Sequence, residues 1–259
     1  MNILVLLKMV PDVVEELEVG PDGKSLDLEF LRPIVSERDE HALEQALLLK
    51  ERCGGSVTTM ALESADVDDV LFTALAKGSD RAVKVSGAET PPTTLEAAAL
   101  FAPVLRGLLD KKQVDLIVTG CSAIDDLDGF LGPFLAERLA LPYLGVVTGV
   151  VVGADAGRAT VLKEYAGGVH AEYGITLPAV LGVQAAEKPP RYVPVAKVRA
   201  VMKSAKIEAV SAAAPDEASP LQVVRMTKPE AAGHAEMIEG SPEEIAAKVT
   251  DILSARGLL

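Results

Sequence analysis

Short aliphatic runs alternate with segments of helical periodicity through most of this chain, and that alternation limits the possible folds more than any other feature. Residues 3–7, 57–62, 82–85 and 114–119 are apolar runs of strand length. Between and after them, residues 36–53, 64–77, 94–112 and 132–141 read as helices; Ala42, Leu43, Ala46, Leu47 and Leu49, for example, recur at helical spacing. Parallel strands need crossovers of this kind, and the crossover helices cover both sheet faces. The expected fold is therefore α/β, with a doubly wound, mostly parallel sheet. Late strands are expected at residues 146–152, 160–165, 171–176 and 179–183.

The helix boundaries carry their own punctuation. Ser36 and Asp39 form an [ST]-x-x-[DE] start, and Cys53-Gly54-Gly55 ends the same helix. Asp66, Asp68 and Asp69 crowd the start of the next, where the helix dipole favours acids, and Gly78 closes it. Between Pro11 and Pro33 lies an acidic stretch with Gly and Pro and no clear period.

The alternation stops near residue 185. A basic stretch follows, with Arg191, Lys197, Arg199, Lys203 and Lys206. Residues 211–220 read as a linker, and Ser241-Pro242-Glu243-Glu244 opens a last helix with an N-cap, Pro at N1 and Glu at N3. Its single apolar face (Ile245, Val249, Ile252, Leu253) has little to pack on within the tail. The expected organisation is an α/β domain at 1–185, a loop and basic segment at 186–210, to which the resemblance given below assigns partner docking, and a C-terminal arm and helix at 211–259.

Composition narrows the function. Hydrophobic residues make up 49% of the chain but aromatic ones only 3%, so the core must be aliphatic. A net charge of −13 argues against nucleic acid and anionic membranes as partners. No apolar run approaches the roughly 20 residues of a membrane helix. The N-terminal run reads as a first strand rather than a signal peptide. Cys53 and Cys121 make no disulfide framework, which suits a reducing, cytoplasmic setting.

No active site is legible. His41, His170 and His234 are scattered and read as solvated or structural. There is no GxGxxG, no P-loop and no nucleophile–base arrangement. The informative element is the loop after the run at 114–119: Gly120, Cys121, Ser122, Ala123, Ile124, Asp125, Asp126, Leu127, Asp128, Gly129, Phe130 and Leu131. At the carboxyl end of a strand and before a helix, such a loop is either a nucleotide site or an ordinary turn.

This loop resembles the G-x-Q-A-I-D-x-D-x-x-x-x-G segment of electron-transfer flavoprotein β subunits. Further pieces fall in the same order: residues 4–8 ending in Lys8, the helix start at Glu40, Thr73 to Ala82, Lys163-Glu164-Tyr165-Ala166-Gly167-Gly168 followed by Leu177-Pro178-Ala179-Val180, and Pro190-Arg191-Tyr192. The resemblance implies a Rossmann-like domain that works as half of a heterodimer with an α subunit holding the redox FAD. This chain would be an electron carrier without bond chemistry of its own. It would hold AMP, with FAD or an empty site as alternatives. The implied nucleotide site is Leu6, Ser36, Glu37, Arg38, Asp39, Leu62 and the loop from Gly120 to Leu131. The loop departs from the family pattern at Ser122, where Gln is usual, and at Leu127-Asp128-Gly129-Phe130. Val10-Pro11-Asp12 and Gly132-Pro133 look like the bifurcating or Fix-type branch, whereas the altered phosphate loop does not. The implied partner-docking residues are Tyr192, Val195 (usually Leu) and Lys197, facing an acyl-CoA or other flavin dehydrogenase, with a quinone-linked oxidoreductase as acceptor. A stand-alone nucleotide-binding regulatory protein is the competing expectation.

Overall fold

The computed structural model describes residues 1–87, 92–126, 129–153, 157–213, 223–229, 233 and 235–259. The elements in chain order are β1 (Asn2–Leu7), β2 (Met9–Pro11), β3 (Pro33–Val35), α1 (Glu37–Cys53), β4 (Ser56–Leu62), α2 (Val67–Lys77), β5 (Arg81–Ser86), α3 (Thr94–Asp110), β6 (Leu116–Gly120), α4 (Leu131–Leu139), β7 (Tyr143–Val152), β8 (Arg158–Tyr165), β9 (Val169–Thr176), β10 (Ala179–Val183), α5 (Val195–Ser204), β11 (Glu208–Ser211) and α6 (Pro242–Ala255).

Nine strands form one sheet in the order β11-β5-β4-β1-β6-β10-β7-β8-β9. The pairs from β11 across to β7 are parallel, and β7-β8-β9 continue as an antiparallel extension. The expected doubly wound, mostly parallel sheet is what forms. Strand β1 shows why. Its side chains alternate faces: Ile3, Val5 and Leu7 pack with Leu43, Leu47 and Leu71 of α1 and α2, while Leu4 and Leu6 pack with Phe101, Leu105 and Leu135 of α3 and α4. Burying both faces of an aliphatic strand stabilises by about 1.5–3 kcal/mol per large side chain.

Helix α1 carries Glu37, Asp39 and Glu40 in its first turn and Lys50 and Arg52 in its last, matching the dipole at both ends. Gly54 ends it at φ 69°, donating its N–H to Lys50 O. The stretch 12–32, expected to lack period, is pinned at its base by β2 pairing antiparallel with β3.

Two features differ from expectation. The strand–helix pattern does not stop at 185: β11 adds to the sheet edge parallel to β5, and Arg81 and Glu208 join the two strands with bonds of 2.9 and 2.7 Å. The basic segment expected as a loop contains helix α5, which packs on α2. Val198 and Val201 stand three apart and are half-buried, and that spacing folds as a helix once α2 offers a surface.

Candidate nucleotide site

The chain reverses direction across the sheet between β1 and β6: β4 and β5 lie on one side of β1, and β6 on the other. Strand ends splay at such a switch point and leave a crevice beyond their carboxyl ends. A cavity of about 470 Å³ occupies that position, within the usual range for small-molecule sites. Leu6, Leu62, Ala65, Phe101 and Leu131 give it apolar walls, and Leu28, Leu31 and Pro33 close one side from the 12–32 stretch. A neighbouring cleft of about 20 Å³, room for roughly one water, lies among Lys8, Asp39, Gly120, Ser122, Ala123 and Gly129.

Asp39 ties this region together. Ser36 is the N-cap residue of α1, as expected, but its side chain caps nothing and no capping box forms. The Asp39 carboxylate instead accepts from the backbone N–H of Lys8 at 2.8 Å and of Gly120 at 2.6 Å. One carboxylate thus latches the ends of β1 and β6. Ser36 adds a third tie, its N–H donating to Lys8 O at 2.9 Å. Burial pushes the Asp39 carboxyl up to about 7, against the pull of the two N–H donors and Lys8. Gly120 is required by contact: a Cβ there would lie 2.6 Å from Arg38 Cβ and 2.7 Å from Asp39 Oδ1.

Lys8 supplies the charge of the site. Its Nζ pairs with Asp125 at 2.7 Å and Asp126 at 3.1 Å. Burial works to lower its pKa, but these two carboxylates hold it above the usual lysine value. Asp126 also accepts from Ala123 N–H at 2.9 Å, folding the loop back on itself. Lys8 is the one cation among the described residues lining the cavity, and Glu63 adds a further carboxylate.

The region also matches known proteins. Residues 31–217 match the family model described as the electron transfer flavoprotein domain. The chain is 32% identical over 266 residues to the electron transfer flavoprotein subunit beta of Methylophilus methylotrophus, covering 98% of each. It is 31% identical over 265 residues to that of Clostridium acetobutylicum, again covering 98% of each. The chain belongs to the electron transfer flavoprotein β subunit family. It is also 29% identical over 273 residues to the caffeyl-CoA reductase-Etf complex subunit CarD of Acetobacterium woodii, covering all of both chains.

The residues expected at a family nucleotide site divide into groups. Leu6, Leu62, Asp125, Asp126 and Leu131 line the large cavity, while Asp39, Gly120, Ser122, Ala123 and Gly129 line the small cleft. Ser36, Glu37, Arg38 and Cys121 line neither; Arg38 Nη1 donates to Gln184 O at 2.7 Å, and Cys121 N–H to Val183 O at 2.8 Å. Ile124 is exposed, and Phe130 stands edge-on to Phe134 with centroids 5.5 Å apart. Leu127 and Asp128 lie outside the described residues, as does His234. Sequence reasoning missed Lys8, Ser64, Ala65, Thr94 and Phe101 as lining residues. Lys8 had a signal: it is a charge placed directly after five buried aliphatic residues, at the carboxyl end of the first strand.

In the docking segment, Tyr192 is 83% and Val195 61% exposed, and Lys197 is exposed. Val195 is the first residue of α5 rather than part of a loop. No residue of α5 or α6 is buried. His41 proves structural, its Nδ1 accepting from Ala186 N–H at 3.2 Å. Among the described residues no group of His, Cys, Asp and Glu could hold a metal, and no helix is long and apolar enough to cross a membrane.

The cavity fits an adenine nucleotide unevenly. Its volume and apolar walls suit a flat base. A phosphate would have to share Lys8 with Asp125 and Asp126.

Proposed function

We propose that this chain holds AMP in the cavity at the β1–β6 switch point and pairs with an α subunit that carries FAD. The apolar cavity at the carboxyl ends of β1 and β6, strands that Asp39 holds together, is the observation that carries the reading. The base would sit against Leu6, Leu62 and Phe101, with its phosphate towards Lys8. The nucleotide then braces β1, β6 and the 12–32 stretch. FAD in the partner would supply the redox chemistry, so the residues of this chain would bind and position without making or breaking bonds. The bare apolar stripe of α6 supports packing of the C-terminal arm on the α subunit. Tyr192, Val195 and Lys197 would meet a flavin dehydrogenase, such as an acyl-CoA dehydrogenase, and a quinone-linked oxidoreductase would take the electrons onward in the cytoplasm. Helix α5 has Lys197, Arg199 and Lys203 and no acid, which favours an acidic patch on that dehydrogenase.

A second FAD in this chain is the competing reading. It is supported by the likeness to the subunit of the caffeyl-CoA reductase-Etf complex and by Val10-Pro11-Asp12 and Gly132-Pro133. Co-expression with the α subunit, denaturation of the purified complex and chromatography of the released nucleotides separates the readings. One FAD and one AMP per heterodimer is the expected result. Two FAD and no AMP would establish the second reading. One FAD alone would mean that the Asp125–Lys8–Asp126 group keeps phosphate out. A chain that forms no flavin-bearing heterodimer would overturn both.

A further inference from the structure

Between β10 and α5 the chain runs along one face of α1 and is tied to it at Gln184, Ala186, Glu187 and Arg191. Arg38 Nη1 donates to Gln184 O at 2.7 Å, and Ala186 N–H donates to His41. Gln45 exchanges two bonds with Glu187, accepting from its N–H at 3.1 Å and donating to its Oε1 at 2.8 Å. Arg52 grips the same Glu187 carboxylate at 2.7 and 3.0 Å. Positions 38, 41, 45 and 52 of α1 are separated by three, four and seven residues, so they share one helical face.

The last tie is the strongest. The Arg191 guanidinium lies on Glu44, with Nε at 2.9 and 3.1 Å from the two oxygens and Nη2 at 2.8 Å, while Nη1 reaches Glu51 at 2.7 Å. The Arg191 backbone N–H also donates to Glu44 at 3.0 Å. The Glu44 side chain is only 4% exposed. Burial works to raise its pKa, but the bonds from Arg191 prevail and hold it below the usual glutamate value. A planar guanidinium is the group that meets a carboxylate in this way; an ammonium cannot. Between the Glu187 and Arg191 anchors stand Pro189 and Pro190, whose rings fix φ and stiffen the span.

Directly beyond the clamp come exposed Tyr192, then Pro194 as the N-cap residue of α5. Helix α5 has no buried residue of its own and leans on α2. Its placement depends on the surface of α2 and on where the chain leaves α1. We infer that Arg191, clamped by buried Glu44, is the positioning residue of the partner-docking segment and fixes where Tyr192 and α5 stand for the incoming dehydrogenase. This rests on the docking reading given above.

The test uses the purified heterodimer, with an acyl-CoA dehydrogenase of the same organism chosen because it reduces the wild-type complex. Arg191→Lys keeps the charge and removes the fork. It should speed amide hydrogen exchange across residues 192–204 about tenfold and raise KM for the heterodimer by about the same factor, the scale of one lost charge-assisted bond. Exchange in β1, β4 and β6, flavin content and kcat at saturation should stay put, which a general loss of stability would not allow. Glu44→Gln should shift the same readouts in the same direction and stands in if the first variant fails to fold. Val195→Asp alters the docking surface without touching the clamp. If it raises KM while Arg191→Lys and Glu44→Gln change neither exchange nor KM, docking stands and the role of Arg191 is overturned. If the clamp variants loosen 192–204 but neither they nor Val195→Asp change KM, or if no such dehydrogenase reduces the wild type, the docking reading falls and the role falls with it.

Discussion

The parallel sheet with its covering helices and the C-terminal helices α5 and α6 use the same aliphatic vocabulary to opposite ends. In the former, Leu4, Leu6, Leu43, Leu47 and Ile117 are buried to 2% exposure or less. In α6, Val249 and Ile252 are 41% and 44% exposed, and neither C-terminal helix buries a residue. The difference is one of closure. A strand between two helical layers finds partners for both faces within the chain, whereas a single helix with one apolar stripe needs a surface from elsewhere. The first region is closed on both faces, whereas α5 rests on α2 without burying a residue and α6 keeps its apolar stripe exposed.

Paired truncations would break this comparison most visibly. Leu47→Ala should cost about 2–5 kcal/mol in chemical denaturation of the isolated chain, because it leaves a cavity in a closed core. Ile252→Ala should cost less than about 0.5 kcal/mol in the same experiment but should weaken assembly with the α subunit, measured by titrating one subunit into the other. Similar losses in the isolated chain would show that α6 already has its partner surface within it.

Gly120→Ala comes next. The added methyl would meet Arg38 and Asp39 at 2.6 and 2.7 Å, so a loss of about 1–3 kcal/mol is expected, together with reduced nucleotide retention. Ser122→Ala, in the same loop, should change either by little, and equal effects of the two would undo the close-packed latch.

Asp39 gives a pH signature. Its carboxyl stands at about 7 in the fold against an ordinary value of 3.8. The folded state therefore binds the proton more tightly than the unfolded chain. Its contribution is complete below about pH 4 and is lost as pH rises towards 7, with a slope of up to about 1.4 kcal/mol per pH unit. Asp39→Asn should flatten that part of the stability profile, read by denaturant titration at several pH values. It should also lower stability overall, since one amide oxygen cannot serve both the Lys8 and Gly120 N–H groups. A wild-type profile that rises between pH 4 and 7 would count against the buried latch.

The smallest effect sharpens the other half of the comparison. Lys197→Ala, on exposed α5, should leave stability within about 0.5 kcal/mol. It should slow association with a donor dehydrogenase a few-fold at low salt and less at high salt. A change insensitive to salt would remove charge steering as the role of the basic helix.

How much of this was legible in the sequence depended on how far apart the partners stand. The capping box of α6 was readable because Ser241 and Glu244 bond each other, three residues apart. The same pattern at Ser36 and Asp39 marked the helix start but misled about the carboxylate. Its true partners, Lys8 and Gly120, are 31 and 81 residues away. Glu44 and Arg191, 147 residues apart, left no local trace. Strand β11 has four residues, two of them polar or charged, and only its place beside β5 makes it a strand.

By itself the sequence determined the class of fold, the aliphatic core, most helix boundaries and the family, because periodicity, capping and loop motifs act over a few residues and survive as pattern. Only the tertiary structure decided which carboxylates face Lys8, why Gly120 has no room for a side chain, and where the chain beyond β10 is fastened to α1. Those depend on backbone donors and charges brought together from distant parts of the chain. No local pattern records which donor a buried acid will meet, and burial then sets the cost of leaving it without one.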